Sequence, residues 1–326
     1  MVQEPVRQRG RALFIFVDGV GLGPSDPEIN PFASARLLVL TELLGRRRPL
    51  ASTAPLHTPA ASLVGLDARL GVPGQPQSGT GQAALLTGLN APKIFGRHYG
   101  PWTPTVLRAA VAERSILARA VRAGRRVAFA NAYPEEVLEP VQGRGRSARF
   151  RTPLRAGPPL AALGAGVLTR HTAELARGEA VASEITNDGW REHLGRTHLP
   201  RPTPAEAGRT LAAIAAAHDL TLFAHYSTDT AGHLRDLEAG IAALERLDAF
   251  LGGVLEDLPP DTLLLVASDH GNIEDVRRGH TLNPALALVR GPGHEAFAGE
   301  LRSLLDIAPA LLRHLGIPAA LRALGV

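Results

Sequence analysis

The stretch SDHGNIEDVRRGH, Ser268–His280, places two histidines, three acids and two arginines in thirteen residues directly after an apolar run. Its Asp269, His270 and His280 are potential metal ligands, and more stand elsewhere: Asp18 in FVDGVG, and Asp229 and His233 in STDTAGH. The chain has no cysteine, so a transition-metal site must be built from His, Asp and Glu. Six such residues can hold two divalent ions with about three protein ligands each, leaving positions open for substrate. Two ions roughly 3.5–4 Å apart form a common clamp for phosphoryl transfer, neutralising phosphate oxygens and stabilising both attacking and leaving groups. A nucleophile is available in QSGTGQ, where Ser78 and Thr80 are expected in a Gly-containing turn just before a helix. Near a helix N-terminus, backbone N–H groups and the positive dipole end favour a phosphate and ease loss of a hydroxyl proton. Alone, Ser78 reads as an ordinary N-cap serine. Singly, each ligand also has an ordinary role: a turn cap for Asp18, an i,i+4 pair for Asp229 and His233, a core histidine for His270, a loop histidine for His280. It is their joint position that carries the metal reading. Asn272, Glu274 and Asp275 suit a supporting role behind the ligands.

These residues need a scaffold that brings them to one edge. Ala12–Val17, Arg126–Ala130, Leu220–His225 and Thr262–Ala267 are short continuous apolar runs, the pattern of strands covered on both faces. Between them, His233–Leu258 carries Leu234, Leu237, Ile241, Leu244, Leu247, Leu251 and Leu255 at spacings of three and four, predicting one amphipathic helix. Ser115–Arg122 predicts another, closed by Gly124. The alternation predicts an α/β fold with a doubly covered, mostly parallel central sheet. In such sheets ligands gather outside the carboxyl ends of the strands, where Asp18, Asp229, His233, Asp269, His270 and His280 all fall. The stretch 134–205 differs, with Gly-Pro pairs, a proline-rich exit and clustered arginines. We expect a core of residues 1–133 and 206–326, with 134–205 inserted as a small lid or cap. Its Arg144, Arg146, Arg149 and Arg151 could grip a substrate phosphate or carboxylate through their planar forks, or be a solvated loop.

Composition narrows the classes. The chain has 326 residues, 45% of them hydrophobic, enough for a large α/β core, and nothing approaches the roughly 20 apolar residues of a membrane span. No leader or anchor is expected, and together with the absence of cysteine this fits a cytoplasmic protein. The formal charge is +4, yet Lys93 is the only lysine and aromatics are 4%, an arginine skew without the aromatic-interleaved basic stripe of a nucleic-acid binder. No nucleic-acid or membrane partner is expected. G-x-G-x-x-G after the first strand, a P-loop and a G-x-S-x-G elbow are all missing.

In order and in kind, FVDGVG, QSGTGQ, STDTAGH, SDHGN and GHTLNP resemble the motifs of the alkaline phosphatase superfamily, nearest its cofactor-independent phosphoglycerate mutase and phosphopentomutase branch. The block from SDHGN to GHTLNP is the most specific, and the likeness covers about residues 11–95 and 206–326. It implies an alkaline-phosphatase-like fold, with Asp229, His233 and His280 on one ion, Asp18, Asp269 and His270 on the second, and Ser78 as nucleophile. Manganese, zinc or magnesium are the metals such proteins commonly use. Two departures limit the carry-over: Gln82 stands where mutases of this branch usually have His, and only about 75 residues are available for a cap. QSGTGQ also lacks the C/S-x-P-x-R setting of a sulfatase. The expectation is therefore a two-metal phosphohydrolase or phosphomutase, acting on a small phosphorylated metabolite through a phosphoserine. Phosphodiester or pyrophosphate hydrolysis, or a metal-binding protein without catalysis, are the alternatives.

Overall fold

The computed structural model describes residues 10–138 and 153–318. Seven strands form one sheet: β1 (Arg11–Val17), β2 (Leu56–His57), β3 (Ala61–Leu66), β4 (Val127–Phe129), β5 (Leu220–His225), β6 (Thr262–Ala267) and β7 (Ala285–Arg290), in the order β2-β3-β7-β6-β1-β5-β4. β6, β1, β5 and β4 are parallel neighbours, and β7 runs antiparallel between β6 and β3. Because β3 is again antiparallel to β7 it points the same way as β6, so the mixed sheet is mostly parallel, as expected. The helices used below are α1 (Ser78–Thr87), α2 (Thr105–Arg114), α3 (Ile116–Arg122), α4 (Gly157–Gly164), α5 (Pro204–Ala216), α6 (Ser227–Leu234), α7 (Leu237–Asp257) and α8 (Ile307–His314).

Both faces are covered, which is why the strands read as unbroken apolar runs. Along β1, Ala12, Phe14 and Phe16 enter one core layer with residues of α1, α2, α3, α4 and α8. Leu13, Ile15 and Val17 enter the other, against α5 and α7. The period-two geometry of a strand turns one hydrophobic run into two faces. Of the four expected strands, Leu220–His225 and Thr262–Ala267 match β5 and β6, β1 starts one residue early, and the fourth shortens to Val127–Phe129.

Two local expectations need correction. The helix expected over His233–Leu258 is two helices. Arg235 turns left-handed (φ 56°) to end α6, and the Asp236 side chain accepts from the N–H groups of Glu238 and Ala239 to start α7. Leu234 is accordingly exposed, and the buried stripe of α7 begins further on, at Gly240, Ala243, Leu244 and Leu247. Ser78 and Thr80 do not precede a helix but form the first turn of α1. The helix tolerates Gly79 there because a Cβ would stand 2.1 Å from the Trp102 carbonyl oxygen, so only glycine lets that chain approach. In the other cap, the Ser115 side chain accepts from Ala118 N–H and Gly124 follows α3 with φ 71°.

Within 134–205, α4 packs on α1 and α2 and adds Ala161 and Ala162 to the core. Ala132, Leu175, Ala180, Ala182, Trp190 and Leu199 form a separate small cluster. Among the described residues no helix is long and apolar enough to cross a membrane.

Candidate metal centre

The ends of three parallel strands deliver the six expected residues. Asp18 is the first residue after β1, and its backbone is held on both sides: its N–H donates to His225 C=O (2.9 Å) and its C=O accepts from Thr228 Oγ1 (2.6 Å). The chain then turns at Gly19 (φ 66°), where a Cβ would lie 2.4 Å from Asp229 Oδ1. A side chain there would wedge Asp18 and Asp229 apart. Asp229 and His233 stand one turn apart on α6, after β5. Asp269 and His270 follow β6, and the loop beyond them brings His280 back to the same place.

The candidate ligand atoms converge. His233 Nε2 is 3.3 Å from Asp229 Oδ2, and His280 Nε2 is 3.6 Å from Asp229 Oδ1 and 3.2 Å from His233 Nε2. On the deeper side His270 Nε2 is 3.4 Å from Asp18 Oδ1, 3.6 Å from Asp269 Oδ2 and 2.9 Å from Ser78 Oγ. Two tight groups result: Asp229, His233 and His280, and Asp18, Asp229 and His270. Asp229 thus lies between them, while Asp269 reaches the deeper group through His270.

Three features make this a cradle for cations. First, the ring orientations are set by backbone carbonyls: His280 Nδ1 lies 2.9 Å from Pro76 O and His270 Nδ1 3.2 Å from Gly271 O, so both Nε2 atoms face the carboxylates. Second, Asp18 Oδ1 and Asp269 Oδ2 are buried acceptors with no hydrogen-bond partner among the described residues. An orphaned carboxylate oxygen is costly to bury unless something cationic meets it. Third, protonation is skewed. Burial and the Asp229 charge raise Asp18, and burial with the Asp18 and Asp229 charges pushes Asp269 well above the usual carboxylate range. Burial alone would lower His270, but the Asp269, Asp18 and Asp229 carboxylates outweigh it and raise it to about 10. His280 is lowered to about 4 by burial and by the charge on His270, which leaves its Nε2 lone pair free. The deep group demands positive charge; a proton on His270 Nε2 meets part of that demand, and divalent ions suit the whole donor set.

The same geometry excludes a metal-free Ser–His–Asp relay. There, serine and carboxylate sit on opposite ring nitrogens. Here Ser78, Asp18 and Asp269 all face Nε2 of His270, and Nδ1 meets a carbonyl.

Supporting contacts lie behind the ligands. Asn272 Nδ2 donates to Asp229 Oδ1 (2.6 Å). Glu274, fully buried, accepts from the N–H groups of Gly21 and Asn272, from Thr281 Oγ1 and from Asn283 Nδ2, clamping the loop that returns His280. Ser268 Oγ accepts from Val20 N–H and donates to His270 C=O. Asp275 instead pairs with the half-exposed Arg277. Gln82, noted in the sequence only as a departure, donates from Nε2 to Asp18 Oδ2 at 3.0 Å. Its partner arrives from 64 residues away, so no local signal could reveal it.

Outside the ligand cluster an open cleft of about 440 Å³ is lined by Gln75, Gln77, Ser78, His233, Arg235 and Arg278, among others. Arg144, Arg146, Arg149 and Arg151 lie outside the described residues. The arginines that do line the cleft, Arg235 and Arg278, are not among those the sequence singled out.

Residues 201–319 match the family model described as Metalloenzyme superfamily. That match covers 119 of the chain's 326 residues, a regional likeness to the superfamily. The chain's fold has alkaline-phosphatase-like neighbours: a magnesium-bound mutant of TAB5 alkaline phosphatase superposes with a TM-score of 0.50 at 12% identity, covering 95% of this chain and 99% of that one. The PH0037 protein from Pyrococcus horikoshii superposes at 0.56 with 15% identity, covering 98% and 99%. In sequence, the chain is 37% identical over 110 residues to the 2,3-bisphosphoglycerate-independent phosphoglycerate mutase of Thiobacillus denitrificans, covering 31% of this chain and 21% of that protein. It is 37% identical over 136 residues to the phosphopentomutase of Rhizobium leguminosarum, covering 39% and 33%. The aligned stretch thus spans about a fifth to a third of the length of these curated relatives.

Proposed function

We propose that this protein is a two-metal phosphoryl-transfer enzyme, hydrolase or mutase, that works on a small phosphomonoester through a phosphoserine at Ser78. The observation that carries the reading is the convergence of Ser78 Oγ, Asp18 Oδ1 and Asp269 Oδ2 on His270 Nε2, with both carboxylate oxygens otherwise unpartnered. Asp229, His233 and His280 would hold one divalent ion, and Asp18, Asp269 and His270 the second, with Asp229 close enough to serve either. Bound there, the ions would neutralise phosphate oxygens and acidify the Ser78 hydroxyl.

The chain's own groups do the rest. The first turn of α1 presents Ser78 Oγ toward the cleft, beside the helix N-terminus, where the Thr80 N–H is already taken by Tyr99 C=O. Oγ attacks phosphorus, the ester bond breaks, and the hydroxyl proton ends on the departing alcohol, so phosphoserine and alcohol are the products of the first half. In the second half, water or another hydroxyl of the same substrate takes the phosphoryl group and Ser78 recovers its proton. Arg235 and Arg278 at the cleft supply charge-assisted hydrogen bonds to an anionic substrate. We keep residues 134–205 as an inserted cap, with α4 as its anchor on the core.

The test is an assay of the protein loaded in turn with manganese, zinc or magnesium against phosphomonoesters, sugar phosphates, diesters and pyrophosphate, with Ser78→Ala as control. Metal-dependent turnover of a monoester, abolished by Ser78→Ala and by chelation, is expected. Turnover of diesters or pyrophosphate alone would move the assignment to that bond. No turnover and no bound metal would overturn it.

A further inference from the structure

Gln82 is 1% exposed and sits one helical turn after Ser78 on α1. Its Oε1 accepts the Gly157 N–H at 2.9 Å. A backbone N–H can only donate, so this contact fixes which end of the amide is which. Nε2 must therefore face Asp18, and it donates to Oδ2 at 3.0 Å. The two oxygens of Asp18 are thereby divided: Oδ2 is occupied by Gln82, and Oδ1, unpartnered, faces His270 Nε2. Since the Asp18 backbone is held at both its N–H and its C=O, the side-chain torsions are the remaining freedom, and Gln82 removes it. The far end of this link is the first residue of α4, whose Gly157 lies so close that a Cβ would stand 2.7 Å from Gln82 Cβ.

We infer that Gln82 is a positioning residue that presents Asp18 to the deep metal site through one oxygen only, with the start of α4 acting as the stop that orients it. The inserted segment is then part of the metal site's architecture: the Gly157 N–H decides the direction in which Gln82 donates. This rests on the metal-centre reading above. Losing a hydrogen-bond partner behind a ligand typically costs about 10–100-fold in metal affinity. The loss should fall on the deep site, because the side-chain hydrogen bonds of Gln82 go to Asp18 and Gly157 and not to Asp229, His233 or His280.

The experiment is calorimetric titration of manganese into the chelator-stripped full chain, as wild type, Gln82→Met and Gln82→His, with thermal unfolding of each stripped protein alongside. Two ions are expected in the wild type. Gln82→Met, which keeps the length but neither donates nor accepts, should weaken one ion by about 10–100-fold and leave the other within error. Gln82→His, whose Nε2–H reaches a similar distance from the backbone, should recover most of the loss. Gln82→Leu replaces Gln82→Met if the latter does not fold. Two ions bound with wild-type affinity by the Met variant, or both sites weakened together with a lower unfolding temperature of the stripped protein, would overturn the inference and leave the metal centre standing. A wild type that binds no ion would overturn the metal centre itself.

Discussion

Asp269→Asn should change the sign of its effect on stability when metal is added. The residue is fully buried, its Oδ1 is 3.4 Å from Gly19 N and its Oδ2 has no hydrogen-bond partner among the described residues. In the stripped protein this carboxyl is raised well above its usual range by burial and by Asp18, so folding at neutral pH must either bury a charge or take up a proton. Asn removes that cost at nearly constant shape. An unsatisfied buried polar group costs about 1–3 kcal/mol. For 326 residues, unfolding entropy near 2.1 cal/mol/K per residue means about 0.7 kcal/mol per degree, so the stripped variant should melt about 1–4 °C higher. The sign follows from linkage: a raised carboxyl holds more protons in the native state, so stripped wild type loses stability as pH rises above the unfolded value of about 4. The advantage of Asn should therefore grow with pH. With metal at about 1,000 times Kd, each ion adds about 4 kcal/mol, or roughly 6 °C. A variant that lost the deep ion would melt several degrees below wild type. Differential scanning calorimetry with and without manganese, at two pH values, reads all four states. Equal destabilisation by Asp269→Asn in stripped and loaded protein would refute the reasoning, because it would mean that Asp269 supports the fold and not a cation.

Other outcomes follow from the same geometry. Ser78→Ala should lose turnover by several orders of magnitude while calorimetry still finds both ions. Arg235→Gln and Arg278→Gln should each raise KM about tenfold, as expected for roughly 1.4 kcal/mol of a charged hydrogen bond, with smaller effects on kcat; steady-state kinetics separates the two. Glu274→Ala strands four donors and frees the loop carrying His280, and should cost about 3 kcal/mol or more of stability in chemical denaturation.

The sequence exposed most of the parallel core, because β1, β5 and β6 are buried on both faces and their chemistry stands at their ends. It hid β3 and β7. ASLVGL and ALALVR are rich in Ala and Leu, which fill helices as readily as strands, so periodicity alone could not assign them. The break at Arg235 was masked by Leu234 and Leu237, whose spacing of three continues the helical stripe across it; Asp236, with its capping side chain, was the readable signal. In the site, Asp18, Asp229, His233, Asp269, His270 and His280 could be gathered because each lies close to a strand end. Gln82 and Arg278 could not, since what each meets comes from a distant segment: Gly157 and Asp18 for Gln82, the cleft lined also by Gln75 and Ser78 for Arg278.

The most direct measurement is acid quench of the metal-loaded protein during exposure to a phosphomonoester, followed by peptide mapping by mass spectrometry. The account predicts phosphate on the peptide containing Ser78, absent without metal and absent in Ser78→Ala. Turnover of the ester with no phosphate on Ser78 at any quench time, or phosphate on another residue, would contradict it.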